Sequence, residues 1–303
     1  MPPTTDLRGI ITVLNTPFNA DDTLDLPGLA RNVENAIQAG VAGFLMPAMA
    51  SEVGALTEDE RAAVVRATVD TAAGRVPVIG GASAPDQAAR LAAARTLTGL
   101  GCAGVLVSIP FTDEAAYTRD VEELAALDPG FLMLQDWDAN GYGLPVPLIV
   151  RLFETVPAFQ CLKIEVVPAG PKYTEVLEAT GGKLHVSGGW AVGQMIEGLD
   201  RGVHAFMPTG MHRIYTTIYR RYTQGDREGA RALFEELLPV LAFSNQHLDI
   251  SICFFKRLLH AQGIYATDRV RSPQVAFDAI HQKTADDLIR RVIALEARLT
   301  VDS

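Results

Sequence analysis

Lysine is scarce in this chain: only five occur among 303 residues, at positions 163, 172, 183, 256 and 283, so chemistry that needs a primary amine has few places to sit. Long apolar runs are missing too. No stretch approaches the ~18 residues a membrane-spanning helix requires, so no membrane partner is expected. The three cysteines, Cys102, Cys161 and Cys253, are odd in number and widely spaced, which argues against a disulfide framework. Cys102 and Cys161 adjoin strand-like runs, where a small buried apolar role is expected. The six histidines (185, 204, 212, 247, 260 and 281) are scattered without His-x-His or His-Glu-x-x-His spacing, so no metal is expected. There is no Gly-x-Ser-x-Gly elbow, and no Gly-x-Gly-x-x-Gly loop follows the first strand-like run. A net charge of −10 argues against nucleic acid and anionic membranes as partners, but leaves a small anionic substrate open. The opening Met-Pro-Pro-Thr-Thr-Asp has no basic region before an apolar run, so no signal peptide is expected and a cytoplasmic location fits best.

Hydrophobic residues at 48% and charged residues at 20% support a large core and argue against disorder. Eight short apolar runs read as strands: Ile10–Leu14, Gly43–Pro47, Val76–Gly80, Gly104–Ser108, Phe131–Gln135, Gln160–Glu165, Leu184–Ser187 and His204–Pro208. Helical periodicity fills the intervals, at about 26–39, 57–73, 86–99, 113–126, 145–156, 172–180 and 192–201. Thr57-Glu-Asp-Glu60 reads as a capping box, and Ser83-Ala-Pro-Asp86 opens the next helix. Strands separated by helices imply right-handed parallel crossovers, and eight of them favour an α/β fold closed as a (β/α)8 TIM barrel. Further helices at about 211–223, 227–242, 245–262 and 283–299 outrun that barrel. The expected organisation is a barrel over 1–225 and an appended C-terminal helical bundle over 226–303, packed as one unit.

Active sites of such barrels lie at the C-terminal ends of the strands. Four of the five lysines fall in helices or turns and are expected at the solvated surface. Lys163 instead lies inside the apolar run Phe159-Gln-Cys-Leu-Lys-Ile-Glu165. An ammonium is costly to bury there, and the neutral amine is the form that attacks a ketone carbonyl. The alternatives are a structural ion pair with Glu165 or a lysine turned to the helix layer. Glu165 lies two residues on and so shares a face with Lys163, where it either moves protons beside an imine or only balances charge. Gln135, Asp136 and Asp138 sit where the fifth strand ends, and Met49-Ala50-Ser51-Glu52 stands at the end of the second, where backbone N–H groups and a hydroxyl offer a carboxylate a seat. Ala50, Ser51, Gln135 and Asp136, with Gly188 and Met207 at the ends of strands seven and eight, form the expected substrate-binding set.

These segments together resemble the N-acetylneuraminate lyase and dihydrodipicolinate synthase superfamily over nearly the whole chain. Gly9-Ile-Ile-Thr-Val-Leu-Asn-Thr-Pro-Phe18 looks like its opening strand, Glu52-Val-Gly-Ala-Leu-Thr-Glu-Asp-Glu-Arg61 like the segment closing its strand-two motif, and Gly74-Arg-Val-Pro-Val-Ile-Gly-Gly81 like its third-strand entry. Leu162-Lys-Ile-Glu165 stands at its Schiff-base lysine. The resemblance implies an imine between Lys163 and pyruvate or another 2-oxo acid, no separate cofactor, and a homo-oligomer, tetramer or dimer. Its usual Gly-Thr-Thr-Gly-Glu reads Ala48-Met-Ala-Ser-Glu52 here, its strand-five tyrosine is Gln135, and its Pro-Tyr-Tyr reads Pro110-Phe-Thr112. No arginine for an aldehyde substrate's carboxylate occurs in Asp138-Ala-Asn-Gly-Tyr-Gly143.

Ser51-Glu52, Gln135-Asp136 and Lys163-Ile-Glu165 resemble instead the 2-keto-3-deoxy-L-arabonate dehydratase branch. That likeness implies that Glu165 takes over proton transfer and that the reaction is dehydration of a 2-keto-3-deoxy sugar acid. The competing expectations are retro-aldol release of pyruvate and a non-catalytic barrel that binds a 2-oxo acid.

Overall fold

A computed structural model describes residues 7–271 and 273–301; the opening Met-Pro-Pro-Thr-Thr-Asp lies outside the described residues. Eight parallel strands close a barrel in chain order: β1 (Gly9–Val13), β2 (Gly43–Leu45), β3 (Val78–Gly81), β4 (Gly104–Val107), β5 (Leu132–Asp138), β6 (Phe159–Val166), β7 (His185–Gly188) and β8 (Ala205–Phe206). The helices that follow the first seven strands are α1 (Leu26–Gln38), α2 (Glu58–Ala72), α3 (Gln87–Gly99), α4 (Glu114–Ala125), α5 (Val146–Thr155), α6 (Ala169–Ala179) and α7 (Met195–Asp200). After β8 come α8 (His212–Thr223), α9 (Arg227–Ser244), α10 (Leu248–Ala261) and α11 (Ala279–Val301). Among the described residues no helix is long and apolar enough to cross a membrane.

The chain divides into two compact units, Met1–Ile11 with Pro77–Met207 and Thr12–Val76 with Pro208–Ser303. In the first unit the strands are buried on both faces, as parallel strands beneath helices must be. Val105, Leu132, Leu134, Cys161, Leu162, Ile164, Val186 and Phe206 are fully enclosed. Cys102 and Cys161 are free and buried, in the apolar role their positions implied. In the second unit α8 and α10 pack apolar faces that include Ile214, Ile218, Phe254 and Leu258.

Local chemistry sets the helix starts. Thr57 and Glu60 form the reciprocal capping box at α2. Asp86, not Ser83, caps α3 by accepting from the Ala89 N–H at 2.8 Å, while the Ser83 hydroxyl accepts from the Ser108 N–H. Helix α6 starts three residues ahead of the expected 172, because Pro171 sits in its first turn, where a missing N–H costs no intrahelical bond. β5 runs three residues past Gln135, since Gln135–Asp138 pair in register with Lys163–Val166. Both differences bear on the site.

Candidate active site

In the first unit, Lys163 stands on β6 with 7% of its surface exposed, and its Nζ lies 3.2 Å from Glu165 Oε2. The two share a face by the two-residue period of the strand. Across the ladder Gln135 is in register with Lys163, and its amide Nε2 donates to the same Glu165 oxygen. Lys163, Glu165 and Gln135 are therefore brought together, with the carboxylate between amine and amide.

The backbone of Gly189 closes against this group. A Cβ there would collide with Glu165 Oε1 and stand 2.5 Å from Lys163 Cε, so only glycine leaves room for both side chains. Gly188, at the end of β7, takes an N–H bond on its carbonyl from Met207 at 2.9 Å. Met207 is buried, with its sulfur 3.5 Å from the Ser187 hydroxyl, and Ser187 is in register with Lys163. Gly188 turns its other side to Tyr173 of α6, whose hydroxyl would be 2.7 Å from a Cβ at that position. That hydroxyl is buried with no hydrogen-bond partner among the described residues; burial pushes the phenol well above its usual range and the Glu165 charge adds to the shift.

Asp136 does not join Lys163. Strand alternation turns it to the opposite face of β5, where its carboxylate lies 3.0 Å from Lys172 Nζ and accepts from the Leu144 N–H at 2.8 Å. Burial raises its carboxyl from the ordinary value, and Lys172 opposes that shift. Lys172 corrects the expectation of a surface lysine: it is fully enclosed and donates to the carbonyls of Tyr142 and Leu144. Asp138 caps its own loop, accepting from the N–H groups of Asn140 at 3.0 Å and Gly143 at 3.3 Å. The residue that does share the face of Gln135 is Trp137, in register with Glu165 and 57% exposed. Counting two residues on from Gln135 would have found it, had the strand been carried past its apolar run.

In the second unit, Ala50 and Ser51 lie in the short 3-10 turn Met49–Ser51. The Ser51 hydroxyl donates to the Leu14 carbonyl at 2.6 Å and accepts from the Ala48 N–H, and the Ser51 N–H donates to the Ala48 carbonyl. Asn15 and Thr16 hold the carbonyls of Ala50 and Ser51 at 2.6 Å and 2.7 Å. These bonds tie the turn together, and the serine hydroxyl takes part in two of them. Glu52 follows in the left-handed region at φ +57°, with its buried carboxylate on Lys256 of α10 and on the Arg271 N–H. Lys256 is the second lysine expected at the surface and found fully enclosed. Burial pushes Glu52 up and Lys256 down, each shift opposed by the other's charge.

The buried histidines are structural. His185 and His204 stack at 5.2 Å, and His212 is held between Thr12 and Asn32. Burial lowers all three to about 4, which keeps their rings neutral near pH 7.

Residues 6–292 match the model of the Dihydrodipicolinate synthetase family. The chain is 32% identical to the 4-hydroxy-tetrahydrodipicolinate synthase of Xanthomonas campestris pv. campestris, over 96% of each protein. It is 28% identical to the L-2-keto-3-deoxyarabonate dehydratase of Azospirillum brasilense, over 93% of this chain and 92% of that one. Among solved structures, dihydrodipicolinate synthase from Rhodopseudomonas palustris superposes with a TM-score of 0.87 at 22% identity, covering 95% of this chain and 98% of its own, a likeness of fold.

Proposed function

The chain belongs to the dihydrodipicolinate synthetase family, whose members are lyases, and from that premise we propose that it dehydrates a 2-keto-3-deoxy sugar acid through an imine on Lys163. The observation that carries this reading is the Glu165 carboxylate, 3.2 Å from the Lys163 amine and oriented by the Gln135 amide.

The neutral amine attacks C2 of the 2-oxo acid, and loss of water from the carbinolamine leaves an iminium. Its positive nitrogen draws electrons from C3 and acidifies the C3–H. Glu165 removes that proton, giving an enamine, and the enamine electrons expel the C4 hydroxyl, which leaves as water with the proton returned by the acid form of Glu165. Hydrolysis of the resulting unsaturated imine restores the amine and releases the dehydrated oxo acid. Gln135 holds the carboxylate toward the amine and is not the base, because an amide does not accept a proton near neutral pH. Lys163 itself is the covalent group, and no separate cofactor enters the scheme.

The relatives named as synthases share the use of a small-molecule substrate, yet two features here disfavour their reaction: Gln135 stands where the family's tyrosine is expected, and residues 138–143 hold no arginine. Retro-aldol cleavage would need a base for the C4 hydroxyl proton, a role that tyrosine would have filled. Borohydride treatment with a panel of 2-keto-3-deoxy sugar acids, followed by intact-protein mass spectrometry, tests the proposal. A reduced adduct on Lys163 one water lighter than the substrate adduct, absent in Lys163→Ala, is the expected result. A pyruvate-sized adduct with free aldehyde would establish cleavage instead, and no adduct with any 2-oxo acid would make the barrel a binding protein. A homo-oligomer, tetramer or dimer, belongs to the same reading and is checked by light scattering.

A further inference from the structure

Two residues from Gln135 on the imine face stands an uncovered indole. Trp137 is in register with Glu165, so its side chain leaves β5 on the side that carries Lys163, Glu165 and Gln135. It is 57% exposed, whereas its strand neighbours Asp136 and Leu134 are buried.

The loop after β5 is held where it is by a clamp behind the strand. Lys172 donates to the Tyr142 and Leu144 carbonyls and forms an ion pair with Asp136 at 3.0 Å. Gly143 adopts φ +68° against Val166 and Asp136, where a Cβ would collide with the carboxylate. Asp138 ties the same loop from within, through the Asn140 and Gly143 N–H groups.

We propose that Trp137 is a specificity-determining residue: it receives the distal end of the substrate and selects a 2-oxo acid whose far end is an uncharged hydroxyalkyl chain over one that ends in a second carboxylate. This rests on the imine reading above and names the substrate class within it. The selection is electrostatic as well as steric. An indole face carries negative quadrupole density, so it accepts the C–H side of a hydroxylated chain and repels an anion. Glu165 adds a negative charge on the same face. Lys172 does not compensate, because it is engaged on the opposite face of the strand, and the single positive charge of the Lys163 iminium is matched by Glu165 beside it and by the C1 carboxylate that every 2-oxo acid carries. A second carboxylate would therefore meet the Glu165 charge and the indole face, both of which disfavour it.

The test compares kcat/KM for a matched pair, a 2-keto-3-deoxy sugar acid ending in hydroxymethyl and its analogue ending in carboxylate, in the wild type and in Trp137→Phe, Trp137→Ala and Trp137→Arg. The wild type is expected to prefer the neutral end by about 100-fold, since one mismatched pocket contact is worth roughly 10–200-fold. Trp137→Phe keeps most of that preference, Trp137→Ala loses about tenfold of it, and Trp137→Arg narrows or inverts it. Borohydride trapping of pyruvate, which has no distal end, runs beside each variant as the measure of imine chemistry. A wild type that does not trap pyruvate defeats the lyase reading itself. A wild type that traps pyruvate but turns over both substrates alike, or Ala and Arg variants with the wild-type preference, overturns the role of Trp137. If Trp137→Ala no longer traps pyruvate, the Phe and Arg variants decide, and a preference unchanged in Trp137→Arg overturns the proposal.

Discussion

Lys256 of α10 reaches Glu52 in the left-handed turn that follows Ser51, and both side chains are buried. The pair spans 204 residues of sequence and fastens the Met49–Ser51 turn to the C-terminal helices. The Phe18 ring lies 4.3 Å from the lysine nitrogen, and the Arg271 N–H donates to the other carboxylate oxygen, so the ions are enclosed by partners rather than by water. Removing one partner from such a pair costs about 3–5 kcal/mol, while replacing both costs far less. Lys256→Met is therefore expected to lower unfolding free energy by about that amount. Glu52→Gln combined with Lys256→Met should recover more than half of the loss. Urea denaturation of the three proteins measures this, and additive losses would show that the pair is not coupled.

Glu296 of α11 makes the stability depend on pH in the neutral range. Burial raises its carboxyl from 4.5 to about 7, against the opposing charge of Arg213 and the Gln262 hydrogen bond at 2.6 Å. A folded value above the unfolded one means the folded state binds the proton more tightly. The contribution is then fully present below pH 4.5 and is lost as pH rises through 7. At 1.36 kcal/mol per pH unit the loss is at most roughly 3 kcal/mol. Glu296→Gln should be more stable than the wild type at pH 8 and lose its advantage near pH 4.5. Equal stability of the two proteins at pH 8 would remove Glu296 from the account.

The buried histidines act with the opposite sign. His185, His204 and His212 fall from 6.5 to about 4, so the unfolded chain binds protons in that interval that the folded chain refuses. Their contribution is complete above pH 6.5 and is lost as pH falls toward 4. Denaturation midpoints measured between pH 7 and pH 4 should drop, and His212→Gln should make that drop shallower. A slope unchanged in His212→Gln would mean that its ring is charged in the folded protein.

How much of this was legible in the sequence follows from the range of the forces involved. The strands were, because burial on both faces of a parallel sheet forces apolar runs such as Gly104–Val107 that need no knowledge of their neighbours. Lys163 stood out for the same reason, as a charge inside such a run. The burial of Lys172 and Lys256 has no signature in the sequence, because a helix reports its own periodicity and not the carboxylate that arrives from another element; their partners are Asp136 on β5 and Glu52 after β2. The place of Trp137 is not legible either, because β5 continues beyond its apolar run through ladder bonds to β6, and that pairing has no signature in residues 136–138 alone. Gly189 has the weakest signal of all, since its requirement lies in two side chains that approach from β6.

That requirement is testable directly. Gly189→Ala places a Cβ into Glu165 Oε1 and 2.5 Å from Lys163 Cε, so the ends of both side chains must shift from the positions that form the pair. Misplacement of a catalytic group by about 1 Å costs on the order of 100-fold. Turnover and the rate of pyruvate trapping by borohydride should fall together by about that factor, with the thermal midpoint changed little. A variant that traps pyruvate at the wild-type rate would show that the Gly189 backbone does not hold the amine.

Glu165→Gln separates the two halves of the mechanism. Glutamine keeps the shape and a hydrogen-bonding oxygen within reach of the Lys163 amine and the Gln135 amide, but it cannot carry the C3 proton. Imine formation needs the amine and the carbonyl; elimination needs the base. The variant should therefore still give a borohydride-reduced adduct on Lys163, now at the full mass of the bound 2-keto-3-deoxy acid rather than one water less. Its kcat should fall by about 100- to 10,000-fold, the usual contribution of a positioned general base. Loss of trapping along with turnover would instead make Glu165 the group that activates the amine, and the proton at C3 would then need another acceptor. Tyr173, buried behind Gly188 with no hydrogen-bond partner for its hydroxyl among the described residues, is the residue to replace next, because phenylalanine there removes the oxygen and leaves the packing intact.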